Sequence, residues 1–196
     1  VFRLKEHMQR LLDSAKIFMI YPKYTIEELM AATCETIKAN NLESCYIRPI
    51  IYLGDGGLGI LVKDDYPVET AIAVWNWGAY LGEDGMNKGI KIRTSSFTRF
   101  NVNSTSTRSK TCGNYVPSVL AKREAVMSGC DEALFLDNDG YVAEGSGENV
   151  FIVKNNKIYT TPMTAILRGI TRDSVMTIAR DLGYELVEER FTKDDF

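Results

Sequence analysis

The sequence contains few residues of the types that hold metal ions or form disulfides. Its 196 residues include a single histidine, His7, and four cysteines that lie far apart without a CxxC pair. The cysteines are Cys34, Cys45, Cys112 and Cys130. These spacings do not match zinc-binding patterns, and they favour reduced thiols over a disulfide framework.

Long apolar runs and blocks of like charge are also absent. No apolar run approaches the roughly 20 residues of a membrane-spanning helix, and residues 1–5 do not form a signal peptide. The 23 basic and 26 acidic residues are scattered and leave a net charge of −3, so no strong field favours nucleic acid or an anionic membrane. The composition therefore predicts a globular, cytoplasmic protein with small-molecule partners and with no nucleic-acid or membrane partner.

Apolar periodicity and turn residues predict an α+β protein in two domains, with an element order unlike a regular βαβ array. The polar, glycine-bracketed segment 83–89 predicts a linker between a small first domain, residues 1–82, and a larger second domain, residues 90–196. The predicted helices are 4–17, 25–40, 116–127 and 171–182, and the predicted strands are 45–53, 69–77, 90–97 and 184–191, with hairpins within 132–159.

Short motifs predict the local geometry at several points. Thr25 begins a capping box, and Thr171 is predicted to cap the last helix. Pro49 indicates an edge strand or a bulge, because proline cannot donate a hydrogen bond to a sheet. The loop 54–59 contains four glycines, which predicts positive φ angles or a close approach to other atoms, but it lacks the ending of a P-loop. The predicted hairpin turns are Asp139-Gly140 and Asn155-Asn156.

Lys110 and Glu144 are the strongest candidates for chemistry. Lys110 lies in a polar loop that is rich in serine and threonine, and Glu144 precedes the small residues Gly145, Ser146 and Gly147. Taken singly, each is typical of a solvated loop lysine or a strand-end carboxylate. Together they supply what pyridoxal phosphate chemistry requires, an amine that forms a Schiff base and a carboxylate that pairs with the ring nitrogen. The chain is therefore a candidate aminotransferase.

Other segments fit the same hypothesis more weakly. Residues 169–172 place backbone N–H groups at a helix N-terminus, which suits a phosphate but also occurs in a simple cap. Tyr46 and Arg48 lie two residues apart on a strand and so share a face, which suits capture of a carboxylate but also an exposed sheet face. Trp75, Trp77 and Tyr80 are by default core aromatics.

Several motifs, which follow one another along nearly the whole chain in the family's order, closely resemble those of the branched-chain amino acid aminotransferases. These are fold type IV pyridoxal phosphate enzymes. The matching segments are 7–11, 13–17, 46–49, 77–82, 113–115, 141–149 and 169–173. The resemblance implies a two-domain fold like that of D-amino acid aminotransferase, with N- and C-terminal segments missing from this chain. It also implies a homodimer or higher homo-oligomer with shared active sites.

The activity that the resemblance implies is transamination between leucine, isoleucine or valine and 2-oxoglutarate, giving branched-chain 2-oxo acids and L-glutamate. Lys110 is then the catalytic Schiff-base lysine, which also carries the proton. Glu144 pairs with the pyridinium nitrogen of pyridoxal 5'-phosphate, and Tyr115 bonds its phenolic oxygen. The phosphate is held by Arg10, Ile170 and Thr171.

The resemblance also implies a substrate pocket. Tyr46 and Arg48 face the substrate, and Arg48 holds the distal carboxylate of glutamate but swings aside for an apolar side chain. Trp77 and Tyr80 form an apolar wall, and Ile60 enters the site of the neighbouring subunit. Two other interpretations remain open: a D-amino acid aminotransferase or aminodeoxychorismate lyase of the same fold, and a catalytically silent fragment that acts only as a dimerisation module.

Overall fold

The computed structural model describes residues 1–78 and 82–196, with the backbone alone at 83 and 84. The chain divides into two compact units, Val1–Tyr80 and Leu81–Phe196. Residues 83–89, which the sequence predicts as a linker, contribute to a short helix of the second unit, Gly82–Lys88. The mixture of helices and strands agrees with the predicted α+β class.

The first unit packs two helices against one face of an antiparallel pair of strands. Residues alternate between more and less exposed along both strands, because successive side chains point to opposite faces. Tyr46 pairs with Trp75, and Arg48 pairs with Ala73, on the exposed face. The elements are α1 (Leu4–Ile17), α2 (Ile26–Ala39), β1 (Tyr46–Leu53) and β2 (Val68–Trp75).

Local chemistry explains how these elements begin. Thr25 Oγ1 accepts from the N–H of Glu28, and Oε2 of Glu28 accepts from the N–H of Thr25 at 2.7 Å, which confirms the predicted capping box. Helical spacing then places Met8 of α1 and Leu29 of α2 in the buried core of the unit. Because this sheet has two strands among the described residues, Pro49 lies in an edge strand, as predicted.

The glycine loop between β1 and β2 has the unusual backbone that its sequence predicts. Gly57 has a φ of 95° and Gly59 a φ of 128°, both in the region that favours glycine. A Cβ on Gly56 would overlap the ring of Tyr66. The loop therefore needs Gly57 and Gly59 for their positive φ angles and Gly56 for the close approach of Tyr66. It presents Leu58 and Ile60 fully to solvent.

The second unit contains two three-stranded sheets with helices beside them. In one, the strand Glu132–Leu136 runs parallel to Ile92–Thr94 and antiparallel to Val142–Gly145; in the other, Lys157–Thr160 runs antiparallel to Phe151–Lys154 and parallel to Glu185–Glu188. The elements are α3 (Gly82–Lys88), β3 (Ile92–Thr94), a 3-10 helix (Cys112–Tyr115), α4 (Val116–Met127), β4 (Glu132–Leu136), β5 (Val142–Gly145), β6 (Phe151–Lys154), β7 (Lys157–Thr160), α5 (Ile170–Asp181), β8 (Glu185–Glu188) and a 3-10 helix (Lys193–Asp195).

Small side chains on α4 determine how closely this helix packs. Ala121 and Ala125 are fully buried against Phe135 of β4, and Ile166 completes the cluster. Alanine leaves space for a close approach of helix and sheet, so the backbone of β4, and of β5 beside it, is held firmly. This core positions the strand that carries Glu144.

Both predicted hairpin turns are confirmed. Gly140, between β4 and β5, has a φ of 89°. Asn155 and Asn156 join β6 to β7 as a two-residue turn with φ values of 52° and 61°. Two consecutive positive φ angles define the hairpin turn whose twist matches that of the strands, and asparagine tolerates this conformation.

One predicted cap is wrong. Helix α5 is capped by Gly169, which is extended, while Thr171 lies inside the first turn with an exposed side chain. A Cβ on residue 169 would overlap Oδ1 of Asn149, so the tight approach favours glycine at the cap position. Strands β3 and β8 are also shorter than predicted. Within the described ranges, the helices are too short or too polar to cross a membrane.

Candidate active site

The structure brings Lys110 and Tyr115 together at the entrance to α4. The 3-10 helix Cys112–Tyr115 begins just after Lys110 and Thr111 and continues into α4, so the chain turns between residues 110 and 115. Lys110 Nζ donates a hydrogen bond to the hydroxyl of Tyr115 and lies 4.6 Å from the centroid of its ring. Two of the predicted site residues therefore form one contact.

Asn114 holds the loop that carries this lysine. Its Nδ2 donates to the carbonyl oxygens of Ser106 (2.9 Å) and Ser109 (3.1 Å), and its Oδ1 accepts from Thr105 Oγ1 (3.1 Å). Asn114 and Ser109 are both buried. Since one side chain ties down three loop residues, the backbone of Lys110 has a fixed place. Sequence analysis did not single out Asn114 for this role.

Glu144 is a buried carboxyl at the end of β5 and not a solvated strand-end residue. Its Oε1 lies 2.8 Å from Arg99 Nε, in an ion pair. Its Oε2 accepts from Asn149 Nδ2 (3.1 Å) and from the backbone N–H of Leu167 (3.2 Å). Three segments that are distant in sequence thus converge on one carboxyl group.

Burial raises the pKa of Glu144 to about 7. The positive charge of Arg99 opposes this rise most strongly, followed by the hydrogen bond from the Leu167 N–H and the charge of Lys110. Lys110 and Glu144 therefore share one electrostatic environment. A carboxyl with such a pKa changes its ionisation near neutral pH, which is typical of functional sites.

Asn149 connects this carboxyl to the start of α5. Its Nδ2 donates to Glu144 and also to the carbonyl oxygen of Leu167 at 3.0 Å. Two residues later, Gly169 caps α5, whose first turn contains Ile170 and Thr171. The first N–H groups of a helix have no acceptor within the helix, so this end suits an anion. Ile170 and Thr171 therefore follow closely after Leu167, whose N–H donates to Glu144.

In the first unit, Arg48 lies over a cluster of aromatic rings. Its guanidinium carbon is 5.1 Å from the ring centroid of Tyr46, 5.0 Å from that of Trp75 and 5.8 Å from that of Trp77. Ala73 faces Arg48 across the strands and leaves space for it to lie flat. This group is an exposed cation on an aromatic surface. Sequence analysis did not place Trp75 in it.

The remaining predicted residues of the first unit lie in different elements. Arg10 is a half-buried residue of α1. Ile60 is 101% exposed in the glycine loop, so its side chain is not packed against the aromatic cluster. Trp77 is 45% exposed and is therefore not a core aromatic. Tyr80 lies outside the described residues.

Two further carboxyl groups, those of Glu132 and Glu148, interact with each other near the turn that follows Glu144. Glu132 is almost fully buried, and its Oε2 is 2.7 Å from Lys122 Nζ. Burial acts to raise the pKa of Glu132, but hydrogen bonds from Lys122 and Ser146 outweigh it and leave this pKa below its usual value. Burial and the charge of Glu132 raise the pKa of Glu148 to about 7. Below this pH, a protonated Glu148 is hydrogen-bonded to an ionised Glu132.

Replacing Glu148 with glutamine is expected to stabilise the protein at pH 8 by about 1–2 kcal/mol relative to the wild type. The folded pKa is raised, so the folded state binds this proton more tightly than the unfolded chain does. The resulting stabilisation is complete below the usual pKa of 4.5 and is lost as the pH rises through 7. A glutamine amide donates to Glu132 at every pH.

Urea denaturation at pH 5 and pH 8 measures this effect. Between these values the wild type should lose more stability than Glu148→Gln, while part of the loss remains because Glu144 titrates in the same range. Glu35→Gln, at an exposed carboxylate of α2, is the matched control and should behave as the wild type. Equal pH dependence in Glu148→Gln and the wild type would contradict the shared proton.

Comparisons with known proteins agree with this geometry. A family model described as amino-transferase class IV matches residues 1–196. The branched-chain-amino-acid aminotransferase of Pseudomonas aeruginosa is 49% identical over 195 residues, which covers 100% of this chain and 63% of that protein. The chain thus spans less than two thirds of the length of this curated relative.

Solved structures show the same fold. The crystal structure of the Escherichia coli branched-chain amino acid aminotransferase matches with a TM-score of 0.97 and 43% identity, over 99% of this chain and 64% of that chain. The branched-chain amino acid aminotransferase from Thermobaculum terrenum, in its PLP-bound holo-form, matches with a TM-score of 0.90 and 36% identity, over 99% and 63% of the two chains. Both the fold type IV prediction and the resemblance to branched-chain aminotransferases are confirmed. The chain belongs to the amino-transferase class IV family.

Proposed function

We propose that this chain carries the catalytic lysine of a pyridoxal phosphate-dependent aminotransferase that exchanges amino groups between branched-chain L-amino acids and 2-oxoglutarate. The observation that carries the proposal is the Lys110–Tyr115 hydrogen bond, in the same electrostatic environment as the buried Glu144. The names of the relatives support the branched-chain substrates. They do not favour the D-amino acid aminotransferase or the aminodeoxychorismate lyase alternative.

The residues of the second unit fit the cofactor. When bound, pyridoxal 5'-phosphate supplies an aldehyde that reacts with an amine and a protonated ring that stabilises negative charge on the substrate. Lys110 would provide the amine, Tyr115 would donate to the phenolic oxygen of the ring, and Glu144 would pair with the ring nitrogen. Ile170 and Thr171 at the start of α5 would hold the phosphate, and Arg10 is a further candidate for it.

Lys110 also moves a proton. With the cofactor bound, its neutral amine would take the proton from the substrate Cα and deliver it to C4′. The contact with Tyr115 places the amine, and the hydrogen bonds of Asn114 hold the loop beneath it. A fixed base close to Cα converts proton transfer into an intramolecular step.

The aromatic cluster of the first unit provides substrate specificity. Arg48 binds the distal carboxylate of glutamate, and it lies over Tyr46, Trp75 and Trp77 when the substrate side chain is apolar. The same surface can then receive either a leucine-like or a glutamate-like side chain. Tyr80 belongs to this wall in the proposal.

Arg48→Ala is expected to slow the half-reaction with glutamate by about 10- to 100-fold, because a hydrogen bond to a charged group is removed. The half-reaction with leucine should change less than about threefold, since the aromatic rings remain. Stopped-flow absorbance measures both half-reactions separately. Lys38→Ala, which removes an exposed cation of α2, is the matched control. Equal losses with the two substrates would show that Arg48 does not bind the distal carboxylate.

The proposal includes a homodimer or higher homo-oligomer in the cytoplasm, in which Ile60 reaches the active site of a neighbouring subunit. The joint exposure of Leu58, Ile60, Leu61 and Val62 in one loop supports this, because a contiguous exposed apolar patch marks an interaction surface. Light scattering of purified protein measures the assembly. A monomer with full activity would contradict the shared site.

The direct test of the function is a pair of half-reactions. Purified protein is mixed with pyridoxal phosphate, and its visible absorption is followed after leucine is added and then after 2-oxoglutarate is added. Loss of the visible band with leucine and its return with 2-oxoglutarate support the proposal. A band that forms but responds to D-alanine and not to leucine would support the D-amino acid alternative, and no band at all would contradict cofactor binding by this chain.

A further inference from the structure

Arg99 is a buried arginine that neither the motifs nor the proposed function account for. It pairs with Glu144, and each of the two side chains is only 7% exposed. The backbone N–H of Arg99 donates to the carbonyl of Leu136 (2.8 Å), which places the arginine beside the end of β4. Its guanidinium carbon also lies 4.2 Å from the ring centroid of Phe100. A fixed positive charge is thus held beside one carboxyl group.

The same guanidinium reaches the turn that carries Lys110. Arg99 Nη1 donates to the backbone carbonyl of Asn114 at 3.3 Å. Asn114 lies between Lys110 and Tyr115 in sequence, and its side chain holds the carbonyl of Ser109, the residue before Lys110. One side chain therefore connects Glu144 on β5 to the turn of the lysine and the tyrosine.

Charge, more than a directed hydrogen bond, joins Arg99 to Glu144. The Nε–H bond is not aligned with Oε1, although the two atoms are 2.8 Å apart. The groups that face Glu144 are Arg99, the Lys110 charge, the Asn149 amide and the Leu167 N–H. Among these, Arg99 is the strongest influence that lowers the pKa of Glu144. Without it, burial would favour the neutral acid.

We propose that Arg99 is a positioning residue, which favours the ionised form of Glu144 and holds its carboxyl group in place relative to the turn of Lys110 and Tyr115. The proposal rests on the proposed function, in which Glu144 faces the ring nitrogen of the cofactor. A neutral carboxyl there would not favour the protonated ring, so negative charge on the substrate Cα would be less stabilised. Arg99 therefore acts on the reaction through Glu144, without touching the substrate.

Two variants separate charge from packing. Arg99→Met removes the charge but keeps a long side chain, and Arg99→Lys keeps the charge. The carboxyl carbon of Glu144 is titrated by carbon-13 NMR in protein without cofactor and is assigned with Glu144→Gln. In Arg99→Met the midpoint should move upward by at least about one pH unit, and in Arg99→Lys it should stay within about half a unit of the wild type. An unchanged midpoint in Arg99→Met overturns the proposal.

The pH profile of the leucine half-reaction gives the second measurement. At pH 7 the rate for Arg99→Met should fall by about fivefold or more and recover as the pH rises, because base ionises Glu144. The KM for leucine should change less than about threefold, and Arg99→Lys should regain most of the rate. A rate that falls by the same factor at every pH and in both variants would mean that Arg99 contributes only packing. That result would overturn the proposal.

Separate control experiments test whether a variant folds and whether the proposed function holds. If Arg99→Met proves too unstable to purify, Arg99→Lys still decides the question. A lower rate together with an upward shift of the Glu144 titration midpoint, in a variant that keeps the charge, would overturn the proposal. Lys193→Ala, at an exposed cation of the last 3-10 helix, is the matched control. A wild type that cannot transaminate leucine would defeat the proposed function, while the NMR titration would still show whether Arg99 sets the ionisation of Glu144.

Discussion

Replacing Lys110 with alanine is expected to abolish the visible absorption band that the protein forms with added pyridoxal phosphate, and to lower the rate of transamination by at least about 10³-fold. Two losses combine in this estimate, since the covalent attachment disappears and the base that moves the proton disappears with it. Proton transfer alone contributes roughly 10²- to 10⁴-fold in enzymes of this kind. No other single substitution in the second unit should affect the cofactor so completely.

The fold should survive this substitution. The loop is held by Asn114, whose amide bonds the carbonyls of Ser106 and Ser109, and none of these bonds involves the lysine side chain. Circular dichroism and the urea midpoint should therefore be close to those of the wild type. Added methylamine should restore part of the rate, because a small amine can take the place left by the lysine. Lys193→Ala serves as the matched control and should keep the band.

A visible band that still forms in Lys110→Ala would contradict the role of Lys110. If Lys110→Ala still forms the band, and reduction with borohydride converts it to a near-ultraviolet chromophore that stays with the protein after free cofactor is removed, another amine holds the cofactor. Mass spectrometry of the reduced, digested protein would then identify that amine. The proposed roles of Tyr115 and Glu144 would have to be tested around the residue so found.

Elements whose signals are local were predicted well from the sequence. The capping box of Thr25 and Glu28 begins α2 where expected, and the two asparagines at 155 and 156 form the expected turn. In each case a few neighbouring residues contain all the physical information, namely side-chain oxygens near free N–H groups or side chains that tolerate positive φ. Helix α4 has the predicted bounds for a similar reason, with Pro117 in its first turn.

Elements whose limits depend on distant partners were predicted less well. Strand β3 is confined to Ile92–Thr94 because its ladder with β4 extends only over Glu132 to Leu134. The start of α5 depends on Asn149, which approaches Gly169 too closely for any side chain there. Neither limit can be derived from the segment itself.

The same distinction applies to the candidate site. Lys110 and Glu144 stand out in sequence because their residue types and neighbours suit a known chemistry. Arg99 has no such signal, since a buried arginine and a solvated one look alike within the segment Thr98-Arg99-Phe100. Its burial follows from contacts with β5 and the 3-10 helix, which only the folded chain brings together. The sequence therefore predicts Lys110 and Glu144 as candidate groups for the chemistry but does not predict the residues that hold them, such as Arg99.

Replacing Glu144 with glutamine is expected to leave the visible band in place while slowing transamination by about 10²- to 10³-fold. The lysine that attaches the cofactor remains, but the charge that favours the protonated ring is removed. Single-turnover kinetics with leucine measures the chemical step apart from binding and product release. A near-normal single-turnover rate would refute the role of Glu144. Glu189→Gln, at an exposed carboxylate, is the matched control.

The effect of Glu144→Gln on stability must be separated from the catalytic one. Burial raises the pKa of Glu144 to about 7, so near neutral pH the neutral acid already lies beside Arg99 in about half of the molecules, and a neutral amide there should not lower the free energy of unfolding. In the double variant Arg99→Met/Glu144→Gln both charges are gone, and the rate should stay low because the carboxylate is still missing. A urea midpoint no lower than that of the wild type, together with a low rate, would show that the ion pair serves the reaction and is not required for the fold.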